Sequence, residues 1–248
     1  MLRKFSNTRS LSDNLKLGTL TAFTAGMVNV ASLVLFFSFT SNITGHFAIL
    51  ADEISNGKWF QVLIVLMWIS LYFGGSFLSN LIVINATRKN AYLSHAIPLI
   101  LEILCFVGVG LYGNYFYKET LMETEILVAI LLFSMGLQNG LTASISNFAV
   151  KTTHLTGLTT DLAIHISMMT KKKFRKSGAV RDKIKLLSAI AGSYLAGGIV
   201  AGSLTHYFQF KVFFYISVAM ICVLIYDFSK AYVSIGLYRR RKAQNVGA

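Results

Sequence analysis

The sequence predicts an all-α polytopic membrane protein, a bundle of about six transmembrane helices arranged as two inverted three-helix repeats. Three observations lead to this prediction. Long apolar runs recur along the chain, basic residues concentrate in alternate connections between them, and a motif of glycine, asparagine and a hydroxyl residue occurs once in each half. These observations predict a single membrane domain at 1–248, with repeats at about 17–112 and 126–228 and a basic tail at 229–248.

The composition places the chain in a lipid bilayer. Of its 248 residues, 54% are hydrophobic and 13% are charged, whereas soluble domains carry about 25% charged residues. Runs of apolar residues are long enough to cross about 30 Å of hydrocarbon as helices. They lie at 17–39, 59–84, 92–112, 126–150, 186–204 and 210–228. Because the runs are continuously apolar and do not alternate as barrel strands do, helices are predicted.

The distribution of basic residues predicts that both termini are cytoplasmic. Cytoplasmic connections of membrane proteins are enriched in Lys and Arg. With six spans and an inner N-terminus, the outer connections hold Lys58, Lys118 and Lys211, while the clusters at 171–185 and 239–242 fall inside. The expected location is the cell (inner) membrane. The same bias accounts for the formal net charge of +13 without a nucleic-acid partner.

One motif occurs twice in apolar surroundings. Gly26-x-x-Asn29-x-x-Ser32 in the first run is repeated as Gly136-x-x-Asn139-x-x-Thr142 in the fourth. An Asn side chain is costly to bury in such surroundings unless another group hydrogen-bonds it. The chain is therefore interpreted as a duplicated unit.

An odd number of spans in each unit would place the second unit upside down relative to the first. A weaker match, Ser70-x-x-x-Gly74-Gly75 with Ser193-x-x-x-Gly197-Gly198, occurs in the same order in the second and fifth runs. Its small residues favour close helix packing. Inverted repeats provide two similar conformations that open to opposite sides of a membrane, which alternating-access transport requires.

Two polar segments predict interruptions of the helices. Residues 40–45 and 152–157 are rich in hydroxyl and amide groups and end in Thr-Gly pairs. Interrupted helices often form substrate sites in transporters. We predict that these segments act as a pair of gates, shaped by Asn42, Thr44, Gly45, Thr156 and Gly157. The alternative is a pair of ordinary interfacial loops, each followed by a helix lying on the membrane surface.

The repeated motif supplies the candidate solute-binding residues. Asn29 and Asn139 would lie near the pseudo-symmetry axis, with Ser32, Gln138 and Thr142 beside them. A pathway lined by neutral polar groups indicates a neutral or anionic solute, because multivalent cations are bound by carboxylates. In the alternative, the two asparagines serve only to hold helices together.

Three ionisable residues are candidates for proton coupling. Glu102 lies in the middle of an apolar run, where a carboxylate is costly unless protonated or paired. Its alternative role is that of a neutral acid hydrogen-bonded to a neighbouring helix. Asp161 and His165 are four residues apart on one face of a predicted helix. They form a proton-relaying pair or are solvated near the cytoplasmic surface.

Common catalytic motifs are absent from the sequence. It contains no H-E-x-x-H, G-x-S-x-G, Walker or dinucleotide-binding pattern, and its five histidines are scattered. We therefore expect no enzyme activity, no cofactor, no metal site and no self-contained ATP-driven pump.

Four segments carry a resemblance to a known family. They read Thr24-Ala-Gly-Met-Val-Asn29, Ser41-Asn-Ile-Thr-Gly-His46, Gly136-Leu-Gln-Asn-Gly140 and His154-Leu-Thr-Gly-Leu-Thr-Thr-Asp-Leu162. Together they resemble the YoaK-like family of small bacterial membrane proteins of unknown function, over about 17–226. The resemblance implies a multi-span inner-membrane protein and no particular substrate.

The predicted function is membrane transport of a small neutral or anionic solute. The protein would be a secondary transporter, with or without proton coupling, or a facilitator. A passive channel and a lipid-interacting or structural protein without transport activity are the alternatives. The expected partners are the lipid bilayer, the solute and, because a six-helix bundle is small, a second copy in a homodimer.

Overall fold

The computed structural model describes residues 9–86, 91–222 and 224–225. These residues form helices, turns and loops, with no strand among them. The helices are α1 Leu11–Phe36, α2 Ile43–Ser55, α3 Trp59–Ala86, α4 Ala91–Tyr115, α5 Leu121–Ser146, α6 Leu155–Met168, α7 Lys172–Arg175, α8 Gly178–Phe208 and α9, described at 212–222 and 224–225. The all-α class is confirmed.

Five stretches of the described chain are long and apolar enough to cross a membrane as helices. They are Leu11–Phe36, Trp59–Asn85, Tyr92–Tyr115, Leu121–Ser146 and Gly178–Cys222. The last contains the fifth predicted run, 186–204, and residues 210–222 of the sixth. They form separate helices, α8 and α9, because Gln209 at the junction has a φ of 45° and the 3-10 turn Gln209–Lys211 follows it. The predicted tail at 229–248 lies outside the described residues.

The first helix of each half begins and ends in the same way. Ser10 before α1 and Thr120 before α5 are N-caps, each in a capping box with the acid three residues later, which satisfies two otherwise unpaired N–H groups. Both helices are 26 residues long and end at a left-handed residue, Phe37 or Asn147. The left-handed residue turns the chain out of the helix.

Two helix pairs make the most extensive contacts in the bundle, α1 with α8 and α3 with α5. A Cβ atom added to Gly26 would lie 2.0 Å from the carbonyl oxygen of Tyr194, and one added to Gly136 would lie 2.2 Å from that of Tyr72. These contacts leave no room for any side chain at either glycine, so the backbones of each pair touch directly.

The contacts also correct the weaker repeat match. A Cβ atom on Gly197 would lie 2.0 Å from the carbonyl oxygen of Phe23, and one on Gly75 would lie 2.2 Å from that of Phe133. Gly75 is therefore equivalent to Gly197, whereas the match from sequence placed Gly74 there. Gly74 has nothing within 4 Å of an added Cβ atom, because one residue along a helix moves a side chain to another face.

The third long helix of the first half, α4, packs against α9. The hydroxyl of Tyr92 donates to the carbonyl of Leu224 over 3.0 Å, and Phe106 stacks on Phe213 with ring centroids 6.5 Å apart. The sequence numbers of the partners run in opposite directions, so α4 and α9 are antiparallel.

Candidate functional site

Two non-helical segments follow the first helix of each half. We call residues 37–42, between α1 and α2, the first break, and residues 147–154, between α5 and α6, the second break. Both lie slightly earlier in the chain than the interruptions predicted from sequence. Thr44 and Gly45 belong to the first turn of α2, and Thr156 and Gly157 to the first turn of α6, because the helices begin at Ile43 and Leu155.

Asn29 of α1 connects the first break to α8. Its side-chain oxygen accepts hydrogen bonds from the Thr40 N–H at 2.9 Å, the Ser41 hydroxyl at 3.2 Å and the Thr40 hydroxyl at 3.3 Å. Its amide nitrogen donates to the Tyr194 hydroxyl at 2.7 Å. The side chain is 8% exposed, so these bonds supply the partners that a buried amide requires.

Asn139 of α5 connects the second break to α3 in the same way. Its amide nitrogen donates to the Tyr72 hydroxyl at 3.0 Å and to the Met135 carbonyl at 3.0 Å. Its oxygen accepts from the Thr152 hydroxyl at 3.2 Å. Each asparagine thus joins the break after its own helix to a tyrosine of the other half.

Sequence reasoning missed the two tyrosines. Their signal was present, since Tyr72-x-x-Gly75 and Tyr194-x-x-Gly197 share one spacing, and in each helix the glycine and the tyrosine carbonyl meet the opposite half. The match with Gly74 obscured this spacing because it was displaced by one residue.

The remaining predicted solute-binding residues differ in how fully they are hydrogen-bonded. Gln138 donates its amide to the Thr24 hydroxyl at 2.7 Å, and Thr142 donates to the Gln138 carbonyl at 3.0 Å. The Gln138 side-chain oxygen and the Ser32 hydroxyl are buried, and neither has a hydrogen-bond partner within the described part of the chain. Both oxygens are hydrogen-bond acceptors, and the Ser32 hydroxyl is also a donor.

The helices after the two breaks start differently. Asn42 caps α2, because its side-chain oxygen accepts from the Gly45 N–H at 3.1 Å. His154 occupies the same place before α6 and makes no side-chain cap hydrogen bond. A Cβ atom on Gly45 would lie 2.7 Å from the Asn42 amide nitrogen, whereas one on Gly157 would meet nothing within 4 Å.

His46 of α2 is held in a slot beside the first break. It is 3% exposed, and its Nε2 lies 3.0 Å from the Phe39 carbonyl oxygen, which requires the proton on Nε2. The ring packs edge-on against Trp68 with centroids 5.2 Å apart. Burial lowers the pKa of His46, and the hydrogen bond to Phe39 opposes this in part. The equivalent residue of α6 is Leu158, so the sequence analysis, which compared polar matches, did not find His46.

A cavity lies at the second break. Its volume is about 200 Å³, and its ionisable lining residues are Lys151, His154, Asp161 and Lys183. Burial and, to a lesser degree, the charge of Lys151 lower the pKa of His154. Asp161 and His165 are in contact through the main chain, since His165 Nδ1 lies 2.6 Å from the Asp161 carbonyl oxygen. The carboxylate of Asp161 is not the group that His165 contacts.

Glu102 is the most deeply buried acid of the described chain. It is 0% exposed, and neither carboxyl oxygen has a hydrogen-bond partner among the described residues. A carboxyl group in this environment is stable in the membrane when it carries a proton. No hydrogen bond or ion pair joins it to Asp161 or His165 in this part of the chain.

A family model matches residues 17–226, which include both motifs, both breaks and Glu102. The family is described as "Protein of unknown function (DUF1275)". The chain belongs to this family. The resemblance to YoaK-like proteins is thereby confirmed, since they are DUF1275 members. Neither a curated protein nor a solved structure matches this DUF1275 chain.

Proposed function

We propose that this DUF1275 protein is a secondary transporter of a small solute, built from the inverted repeats α1–α4 and α5–α9. The contacts of Asn29 and Asn139 are the observation that carries the proposal. Each asparagine holds the break of one half to a tyrosine of the other half. Two equivalent halves that hold each other at their breaks are what alternating access requires.

The directions of the helix pairs support the inverted arrangement. Gly18 and Gly26 of α1 meet Ile190 and Tyr194 of α8, so the partner numbers rise together and the pair is parallel. In a six-span bundle the first and fifth spans share one direction, and so do the second and fourth. In the inverted arrangement, α1 of the first half corresponds to α5 of the second, and α8 of the second half corresponds to α3 of the first. The pair α1 and α8 is therefore equivalent to the pair α5 and α3.

We assign the first break to the outer side and the second break to the cytoplasmic side of the cell membrane. The basic cluster at 171–185 follows α6 and would lie inside. The cavity would then open inward. Near the first break, the rings of Phe36, Tyr117 and Phe210 pack with centroids 5.1 to 6.0 Å apart and would close the outer side. This conformation would be inward-facing.

Each predicted site residue takes a role in this proposal. Ser32 and Gln138, whose oxygens are buried and unpartnered, would bind the solute, with Thr142 beside them. Asn29 and Asn139 would exchange hydrogen-bond partners as the breaks open and close. Glu102 would carry the coupled proton, because its carboxyl group has no other partner in the described chain.

Proteoliposomes loaded with the pH dye pyranine test the proposal. Gradients of phosphate, succinate, bicarbonate, glycerol and urea are applied in turn, and proton movement and solute uptake are recorded. We expect one of these solutes to drive proton movement in the wild type and not in Glu102→Gln. The exposed acid Glu119, changed to Gln, is the matched control. Saturable uptake that is unaffected by an uncoupler would overturn the role of Glu102 in proton coupling. Uptake that neither saturates nor responds to an uncoupler would identify a passive channel and overturn the proposal.

A structural role without transport is the second candidate, favoured by the complete hydrogen bonding of Asn29. On this account Asn29→Leu combined with Asn139→Leu lowers stability, and no solute raises the melting temperature of the wild type. A solute that stabilises the wild type and not the folded double variant would exclude this candidate.

A further inference from the structure

The cavity at the second break brings together charged groups from three parts of the chain. Lys151 comes from the break, Asp161 from α6 and Lys183 from α8. The Lys183 side chain is half-buried. Lys151 and Asp161 are exposed, so the cavity brings two cationic side chains and one anionic side chain together where solvent can enter.

The ammonium groups have no counter-ion in the described part of the chain. An ion pair there joins Lys58 to Glu53 at 3.4 Å, but none among the described residues joins Lys151 or Lys183 to Asp161. His154 also lines the cavity, and burial, with the charge of Lys151, lowers its pKa. Two ammonium groups and one carboxylate leave the cavity with a net positive charge.

The start of α6 adds hydrogen-bond donors to the same space. Because His154 makes no side-chain cap, the first N–H groups of the helix are unpaired and carry partial positive charge. Gly157 leaves open space beside them. The volume of about 200 Å³ is below the roughly 300–1,000 Å³ of sites for drug-sized ligands, so the cavity suits a small ligand.

We propose that this cavity is a binding site for an oxyanion, a phosphate or carboxylate group, held between Lys151 and Lys183. Such groups form strong charge-assisted hydrogen bonds with lysine and with helix N-termini. Asp161 disfavours a second negative charge at its side of the cavity. The oxyanion belongs to a free solute or to a phospholipid headgroup. If the oxyanion is a free solute, it defines the substrate class of the proposed transporter, and this part of the inference rests on the proposed function.

Thermal unfolding of delipidated protein in neutral detergent tests the free-anion source. Sodium phosphate is titrated against sodium chloride at constant ionic strength. We expect a saturable rise in melting temperature for the wild type, and an apparent Kd weakened on the order of tenfold or more in Lys151→Gln plus Lys183→Gln. The control, Lys172→Gln plus Lys185→Gln, removes the same charge at exposed lysines that do not line the cavity. It should bind phosphate like the wild type.

Native mass spectrometry of the protein from phosphatidylglycerol nanodiscs tests the headgroup source. The site is assigned to a lipid headgroup if the wild type and the control retain the lipid, the cavity variant loses it, and phosphate does not raise the melting temperature. If the lysine variant fails to fold, Gly157→Leu fills the cavity without changing charge and should abolish the same response. The proposal is overturned if the cavity variants change neither the phosphate response nor the amount of retained lipid. These binding measurements need no solute gradient. If the protein binds the oxyanion but transports no solute, the proposed transport function is overturned and the binding site stands.

Discussion

The first break and the second break share an anchor but differ in how firmly the chain around each is held. Asn29 accepts three hydrogen bonds from the first break, from Thr40 and Ser41, whereas Asn139 accepts one from Thr152. The helix after the first break has a side-chain cap and a buried histidine. The helix after the second break has no side-chain cap and carries Leu158 in place of the buried histidine, and a cavity lies beside it.

This difference separates the features that the two halves of the chain share from those in which they differ. The asparagine, the tyrosine and the close glycine contacts recur in both halves because they hold the halves together. The cap residue is Asn42 at the first break and His154 at the second, and the residues equivalent to each other in α2 and α6 are His46 and Leu158. The free energy needed to open the two breaks is therefore expected to differ. An unequal pair of breaks would favour one of two otherwise similar conformations.

The largest difference is expected between Asn29→Leu and Asn139→Leu. Asn29→Leu leaves the buried Thr40 N–H without its partner and should lower the free energy of unfolding by about 2–3 kcal/mol. Asn139→Leu removes hydrogen bonds to the Tyr72 and Thr152 hydroxyls. Because these hydroxyl groups can rotate toward other partners, the free energy of unfolding should fall by only about 1 kcal/mol. Denaturant unfolding in mixed micelles measures both. Equal losses would show that the first break is not held more firmly.

The next effect is the pH dependence that His46 contributes at the first break. Because the pKa of His46 is lowered in the folded protein from 6.5, the unfolded state binds the proton first as the pH falls. The stability from neutral His46 is therefore complete above about pH 6.5 and is lost as the pH falls through the lowered pKa. Melting temperatures between pH 8 and pH 5 should fall in the wild type and fall less in His46→Leu, which copies Leu158. An unchanged slope in that variant would contradict this account.

The two Thr-Gly glycines should respond to alanine with opposite signs. Gly45→Ala pushes the Asn42 cap aside, since the added Cβ would lie 2.7 Å from its nitrogen, and should cost about 1 kcal/mol. Gly157→Ala meets open space in a helix and should stabilise by about 0.5–1 kcal/mol. Thermal unfolding of the two variants side by side provides the comparison. A loss of stability in both would mean that the second break is as closely packed as the first.

The smallest expected effect comes from the cap positions themselves. Asn42→Ala should lower the free energy of unfolding by about 1 kcal/mol, because it removes the acceptor of the Gly45 N–H. His154→Ala removes no cap bond and should change stability by less than about 0.5 kcal/mol. Hydrogen exchange of the first turns of α2 and α6 reports each effect locally. Faster exchange in α6 on His154→Ala would reveal a cap at that position.

The sequence was sufficient for the class and for the repeated asparagine, because both depend on local composition and spacing. It misplaced the glycine match by one residue, since Gly74 and Gly75 are alike as letters and differ only in the helix face they occupy. It did not find Tyr72 or Tyr194, because their role depends on contacts between halves. His46 was missed because its equivalent, Leu158, is apolar, and the cavity was missed because it forms from three separate segments.

Thiol labelling at the two short helices tests the inverted arrangement most directly. Thr44→Cys in α2 and Thr156→Cys in α6 occupy equivalent, exposed positions, in a background where Cys105 and Cys222 are replaced by alanine. Each variant is treated with a membrane-impermeant maleimide in sealed right-side-out and inside-out vesicles. The account predicts that Thr44→Cys reacts in right-side-out vesicles and Thr156→Cys in inside-out vesicles. Reaction of both variants from the same side would contradict it.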